Sequence, residues 1–177
     1  MDIAIYADAD SLPKALRPVI MRASVRVGCL LFFVADRSLP DVMGFISRDT
    51  FRRRTEAGGD RSIKSNVKMC VVPSGDNSAD DYIVQNAGPG CLCITHDIPL
   101  ASRLLEKGCI VIDDRGSSYT SDNIKSLLTG REVNNQLREA GIFALQQSRQ
   151  DRENTKLFSD NLDRTLTKMH LGNIRNS

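Results

Sequence analysis

No run of 18 apolar residues occurs anywhere in the chain, which excludes a helix that crosses a membrane. The opening segment, MDIAIYADAD, has no basic stretch and no long apolar stretch, and it turns acidic within ten residues. That is not the pattern of a secretory signal, so a cytoplasmic location is expected. Net charge is only +2, too small for overall charge to identify a partner. There is no internal repeat and no low-complexity segment. Cysteine is present but in odd number: Cys29, Cys70, Cys91, Cys93 and Cys109, each in or beside a short apolar run. Buried thiols of odd count fit a reducing compartment, where cysteine packs as a small hydrophobe. Cys91, Cys93 and His96 lack the second pair that a zinc site needs.

What the chain does have is length and apolar content. Its 177 residues, 41% hydrophobic, suffice for one domain with a substantial core. Five short runs are almost continuously apolar: Ile3–Ala7, Cys29–Ala35, Val67–Val72, Cys91–Thr95 and Cys109–Ile112. This is the pattern of strands buried on both faces of a parallel sheet. Helical segments between most of them give repeated β-α units, hence an α/β fold.

Local chemistry places the helices. Ser11 is a candidate N-cap and Pro13 suits a first turn, with regular helix starting at Pro18 and an apolar face at Leu16, Val19, Ile20 and Ala23. Ser78 and Asp81 have capping-box spacing for a helix through Ala87. Further helices are expected over Pro99–Lys107, closed by Gly108, and over Thr120–Leu128. Residues 1–147 are read as the α/β domain. Residues 148–177 are read as an amphipathic helix docked on it through Phe158, Leu162, Leu166 and Met169. The least patterned stretch, Arg37–Asn66, is expected to be a long loop or a short helix.

Acidic residues gather where strands end. Asp8 closes the first strand, and Asp10, two residues on, points the same way if the chain stays extended. Asp97 follows the fourth strand, where it also suits a helix N-cap. Asp76 and Asp80 lie four apart, and Asp80 falls in the first turn of its helix, a position the helix dipole favours. Ligands of open α/β sheets collect at the carboxyl ends of strands. Carboxylates placed together repel unless a cation or proton intervenes, and Mg²⁺ and Mn²⁺ favour such hard oxygen ligands.

Basic residues concentrate in Arg48–Lys68, with seven Lys or Arg against three acids. Its centre, Arg52-Arg53-Arg54, can grip phosphates without reading bases, or it is a solvated surface run. Arg115, after the fifth strand, can clamp a phosphate through its planar fork or pair with Asp113 or Asp114.

Five blocks appear in order: Asp8-Ala9-Asp10 with Pro13; Val34-Ala35-Asp36-Arg37-Ser38; Asp76-Asn77-Ser78-Ala79-Asp80-Asp81-Tyr82-Ile83-Val84; Thr95-His96-Asp97-Ile98-Pro99-Leu100-Ala101; and Arg115-Gly116-Ser117-Ser118-Tyr119-Thr120. Together with Gln150-Asp151-Arg152 ahead of the final helix, the chain resembles the YaiI/YqxD family of bacterial proteins, a family assigned to the PIN-like nuclease superfamily. The resemblance implies a three-layer sandwich around a central five-stranded parallel sheet of order 3-2-1-4-5. Asp8 and Asp97 would then face each other across the switch point. It also implies that Asp8, Asp10, Asp80 and Asp97, and less directly Asp76, hold one or two Mg²⁺ or Mn²⁺ ions for phosphodiester hydrolysis. The resemblance carries no substrate with it; the acidic cluster beside the basic stretch, together with the resemblance, makes nucleic acid the expected partner, single-stranded RNA ahead of DNA.

Two other functions stay open. Asp8-Ala9-Asp10-Ser11-Leu12 and Gly75-Asp76-Asn77-Ser78-Ala79-Asp80 resemble motifs of haloacid-dehalogenase-type phosphatases, in which Asp8 would be the nucleophile and Asp10 the acid/base. A non-catalytic PIN-like module that only binds nucleic acid is the other.

Overall fold

The computed structural model describes residues 3–129 and 150–175. The domain boundary expected at 147 lies outside the described residues. The first three strands are β1 (Ala4–Asp8), β2 (Leu30–Ala35) and β3 (Val67–Val71), and they are followed by β4 (Leu92–Ile94), β5 (Ile110–Ile112) and β6 (Ser118–Tyr119). Among the described residues they form a six-stranded sheet of order β3-β2-β1-β4-β5-β6. The first five run parallel in the expected order, with β1 in the centre between β2 and β4. The short β6 adds an antiparallel edge that was not expected.

The helices are α1 (Arg17–Val27), α2 (Pro40–Glu56), α3 (Ser78–Asn86), α4 (Ile98–Glu106) and a C-terminal helix (Gln150–Arg175), with a short helical segment over 124–129. They divide between the two faces of the sheet, and strand parity shows how. Ile5 and Ala7 of β1, with Leu31, Phe33 and Ala35 of β2, join a core made with α1, α2 and the C-terminal helix. Tyr6, Val34, Cys93 and Val111 point the other way, into a core made with α3, α4 and Ile124. Alternate residues therefore feed opposite cores, which is why these strands are apolar at nearly every position. The cysteines are free thiols, and Cys29, Cys93 and Cys109 are buried among these residues.

Phe158, Leu162 and Leu166 are fully buried in the same core as β1. At roughly 1.5–3 kcal/mol for each buried apolar side chain, they tie the C-terminal helix into the domain's own core. Gly116, at φ +87°, lies so close to this helix that a Cβ there would meet the Leu157 carbonyl carbon at 2.5 Å.

Three local expectations are corrected. Arg37–Asn66 is mostly the 17-residue helix α2, begun by Pro40 in its first turn. Ser11 does not cap the first helix: a 3-10 turn at Lys14–Leu16 precedes α1, which has Pro18 at its start. Ser78 and Asp81 form no capping box, because Asn77 enters α3 in the left-handed region at φ 62° and makes no side-chain cap. Asparagine tolerates that conformation better than most residues.

Candidate functional site

In the order 3-2-1-4-5 successive strands are added first on one side of β1 and then, from β4, on the other, and the carboxyl ends of β1 and β4 open a crevice at that switch. A cleft of about 470 Å³ lies there, lined by Asp8, Asp10, Asp36, Asp80 and Asp97 together with Ser11, Arg37, Gly75 and Asn77. The four aspartates singled out from sequence thus share one cleft. Asp76 is exposed and does not line it.

Each acid is held differently. Asp8, buried at the end of β1, accepts the Thr95 hydroxyl on Oδ2 at 2.9 Å and the Ser11 N–H on Oδ1 at 3.4 Å. Thr95 Oγ1 also accepts the Asp97 N–H at 2.9 Å, so one hydroxyl joins the loops after β1 and β4. Ser11 Oγ accepts the His96 N–H at 3.3 Å and lies 3.5 Å from Thr95 Oγ1. Asp97 caps α4, accepting the Leu100 N–H on Oδ1 at 2.8 Å, and lines the cleft as well. The cap and the site reading of Asp97 are therefore compatible. Asp10 accepts the Asp36 N–H at 3.0 Å and an Arg37 contact at 3.3 Å, and Arg37 also pairs with Asp36 at 2.8 Å.

Asp80 carries the clearest electrostatic signature. Burial first, then the charges of Asp8 and Asp97, push its pKa up to about 6, against some relief from Arg103. The folded chain therefore takes up a proton between the ordinary value of 3.8 and about 6 that the unfolded chain does not. Stability falls as pH rises through that window, because charging Asp80 costs more in the fold. Replacing Asp80 by Asn is expected to raise stability by about 1 kcal/mol near neutral pH, after discounting for the exposed part of the side chain, and to change nothing below about pH 4. Urea unfolding in the presence of a chelator at the two pH values checks this. Equal stability of the two proteins near neutral pH would mean that charging Asp80 in the fold carries no cost from burial or from its acidic neighbours.

The donor set is all oxygen: no His or Cys lines the cleft, which suits a hard divalent cation rather than zinc. Among the described residues, however, no three acidic, His or Cys side chains close round a single point. Asp10 is drawn aside by Arg37 and the Asp36 amide, and Asp97 spends one oxygen on its helix cap.

The basic candidates are placed elsewhere. α2 runs back against the strand direction, so Arg52, Arg53 and Arg54 at its end reach the opposite edge of the sheet, beside the start of β3. Arg52 and Arg53 pair with Asp49 at 2.7 and 3.1 Å, and Arg54 donates to the Ile63 carbonyl at 2.9 Å. Arg115 lies at the same edge as the acids but does not line the cleft; its side chain is exposed, and Asp114 pairs with His96 instead, at 2.8 Å. Burial alone would push the Asp114 carboxyl up, but the His96 hydrogen bond and the charges of His96 and Arg115 together outweigh it and hold the group below the ordinary carboxylate range. Sequence reasoning missed Thr95 and Arg37 as site residues, although both sit inside the blocks that carry the resemblance.

A family model described as "Uncharacterized BCR, YaiI/YqxD family" matches residues 55–168. The chain belongs to the YaiI/YqxD family. Asp80 and Asp97 fall within the matched segment, whereas Asp8 and Asp10 precede it. Relatives match at nearly full length. A UPF0178 protein of Vibrio atlanticus is 34% identical over 164 residues, 93% of this chain and 98% of the relative. One from Pseudomonas entomophila is 34% identical over 171 residues, covering 95% and 99%. One from Syntrophobacter fumaroxidans is 37% identical over 166 residues, covering 93% and 94%. No solved structure matches the chain significantly. Among the described residues of this YaiI/YqxD member, no helix is long and apolar enough to cross a membrane.

Proposed function

We propose that this chain is a metal-dependent phosphodiesterase of PIN-like type that cuts single-stranded nucleic acid, RNA ahead of DNA. The observation that carries the reading is the meeting of Asp8, Asp10, Asp80 and Asp97 in one cleft at the β1/β4 switch point. Burial first, and then the charges of Asp8 and Asp97, push Asp80 up to about 6, so its charged form is costly in the cleft without a countercharge. The Asp-bearing blocks resemble the YaiI/YqxD family, and the assignment of that family to the PIN-like superfamily supports the same reading.

Asp8 and Asp97 would hold Mg²⁺ or Mn²⁺, with Asp80 and Asp10 alongside. When bound, the ion lowers the pKa of a coordinated water and offsets charge building on the phosphodiester. Thr95 and Ser11 act through Asp8: their hydrogen bonds fix its carboxylate, so they are positioning residues. Arg37 is the cation lining the cleft, and its guanidinium is placed to meet a phosphate oxygen in exchange for Asp10 or Asp36. The phosphatase reading is the weaker one, since Asp76 of its second motif stands outside the cleft.

The test is hydrolysis of end-labelled single-stranded RNA and DNA by the pure protein with Mn²⁺ or with a chelator. Cleavage in Mn²⁺ alone, faster for RNA, is expected. Intact polynucleotides with release of phosphate from a small phosphomonoester would favour the phosphatase. Binding without hydrolysis of either class would leave a non-catalytic module.

A further inference from the structure

Away from the acidic cleft, α1 and α2 lie side by side on one face of the sheet, both running from the carboxyl to the amino edge. Between them is a groove of about 330 Å³ whose floor is apolar, with Val25 and Phe45. Its rim carries Arg22 and Arg26 from α1 and Arg48 and Arg52 from α2. Each pair is spaced i,i+4, so each helix presents two guanidinium groups on one face, about 6 Å apart at their base. Asp49 is the acid that also lines the groove, and it is buried. Arg26 is held by Asp163 at 2.6 Å and Arg52 by Asp49. Arg22 and Arg48 are exposed and form no ion pair among the described residues. A second depression, also lined by Arg22, Phe45 and Arg48, carries the groove on to the first turns of both helices, and the acid that lines it, Asp41, is paired with Arg17 at 3.2 Å. Those turns lie at the edge where β1 and β2 end, the edge of the acidic cleft.

We propose that the α1–α2 groove is a track for the backbone of a single-stranded nucleic acid, with Arg22 and Arg48 as its principal phosphate contacts, leading the strand toward the acidic cleft. This rests on the phosphodiesterase reading for the destination of the strand, not for its binding. Charge complementarity identifies the occupant as polyanionic. The apolar floor and Phe51, 74% exposed on α2 next to Arg52, favour one that carries bases: single-strand binders pair a cationic groove with aromatic surface. Such contacts read no sequence.

The test is fluorescence anisotropy in a chelator, which prevents metal-dependent cleavage, across a salt series. The probes are fluorescein-labelled oligouridylate and fluorescein-labelled polyglutamate. Wild type is expected to bind oligouridylate better than polyglutamate. The double variant Arg22→Ala/Arg48→Ala should bind oligouridylate about tenfold more weakly at low salt, and its slope of log K against log salt should flatten by about 1.4, two phosphate contacts on a single strand. Both residues are exposed, so thermal melting should be unchanged. Equal affinity and slope in the double variant, no oligouridylate binding by wild type, or a preference for polyglutamate would each overturn the track. Cleavage in Mn²⁺ is measured separately. Binding that depends on Arg22 and Arg48 without any cleavage sinks the phosphodiesterase reading and leaves the groove. Cleavage with Arg-independent binding does the reverse.

Discussion

Asp8→Asn is expected to lower Mn²⁺ affinity at least tenfold and Mn²⁺-dependent RNA cleavage at least about 100-fold, on the scale that lost support of a metal site produces, while leaving the fold as stable as wild type or more so. The stability half of this follows from the hydrogen bonds. Asn has the same size, and its amide oxygen can still accept the Ser11 N–H that now reaches Asp8 Oδ1. Its amide nitrogen then faces Thr95 Oγ1, which now donates to Asp8 Oδ2 and accepts the Asp97 N–H. A hydroxyl oxygen has two lone pairs, so Thr95 can accept from both neighbours and turn its own proton toward Ser11 Oγ, 3.5 Å away. No buried polar atom is stranded. One negative charge also leaves a cleft in which Asp8 pushes the pKa of Asp80 up. Metal titration calorimetry, cleavage rates and urea unfolding, run on the same two proteins, separate the effects. Unchanged Mn²⁺ affinity would strike Asp8 from the ligand set. A large loss of stability would mean that its carboxylate holds the β1 and β4 loops together by charge rather than by shape.

The strands were legible because each is buried on both faces, and their parity sends alternate residues into two cores. The four cleft aspartates were legible for a related reason: three of the segments that follow strands carry an acid at the same sheet edge. Thr95 and Ser11 were not, because a hydroxyl bridging two loops leaves no periodic trace. α2 was misread for a physical reason that also misplaced Arg52–Arg54. Its buried face begins with Val42, Phe45 and Ile46 but continues with Asp49 and Arg53, an ion pair in place of apolar side chains. The hydrophobic period therefore stops halfway along the helix. Read as a loop, the segment had no direction; as a helix of 17 residues it carries its end about 25 Å from its start, to the far edge of the sheet. The two-residue β6 is too short for any pattern.

That same ion pair is the basis of the other large expected effect. Asp49→Ala should destabilise the fold by about 3 kcal/mol, as breaking a buried ion pair does when one partner is left behind. Asp49 is buried and receives the Ser65 hydroxyl at 2.6 Å, Arg52 at 2.7 Å and Arg53 at 3.1 Å. Ser65 Oγ in turn accepts the Val67 N–H at 3.1 Å, so the carboxylate ties the end of α2 to the entry of β3. Burial alone would push its pKa up, but the hydrogen bonds from Ser65 and Arg52 and the charges of Arg53 and Arg52 outweigh it and hold the group below its ordinary 3.8. A folded-state pKa that is depressed contributes stability above the unfolded value, and that contribution is lost as pH falls through the folded value. The gap between wild type and Asp49→Ala should accordingly narrow in acid below about pH 4. Asp49→Asn, which keeps an acceptor for Ser65 but loses the charge, should fall between the two. Arg52 is half exposed and can turn to water, whereas Arg53 is three-quarters buried and, among the described residues, keeps its 3.3 Å contact with Asn66. Most of the loss therefore belongs to Arg53 and Ser65, and Arg53→Ala in the Asp49→Ala background should cost far less than in wild type. Asp49 lies at the opposite edge from the acidic cleft, so Mn²⁺ affinity should not change. Freeing Arg52 raises the positive charge of the α1–α2 groove, so oligouridylate affinity should stay level or rise while stability falls. Chemical unfolding of the four proteins in the cycle, with anisotropy alongside, measures both; a cost under about 1 kcal/mol would reduce the network to ordinary surface ion pairs.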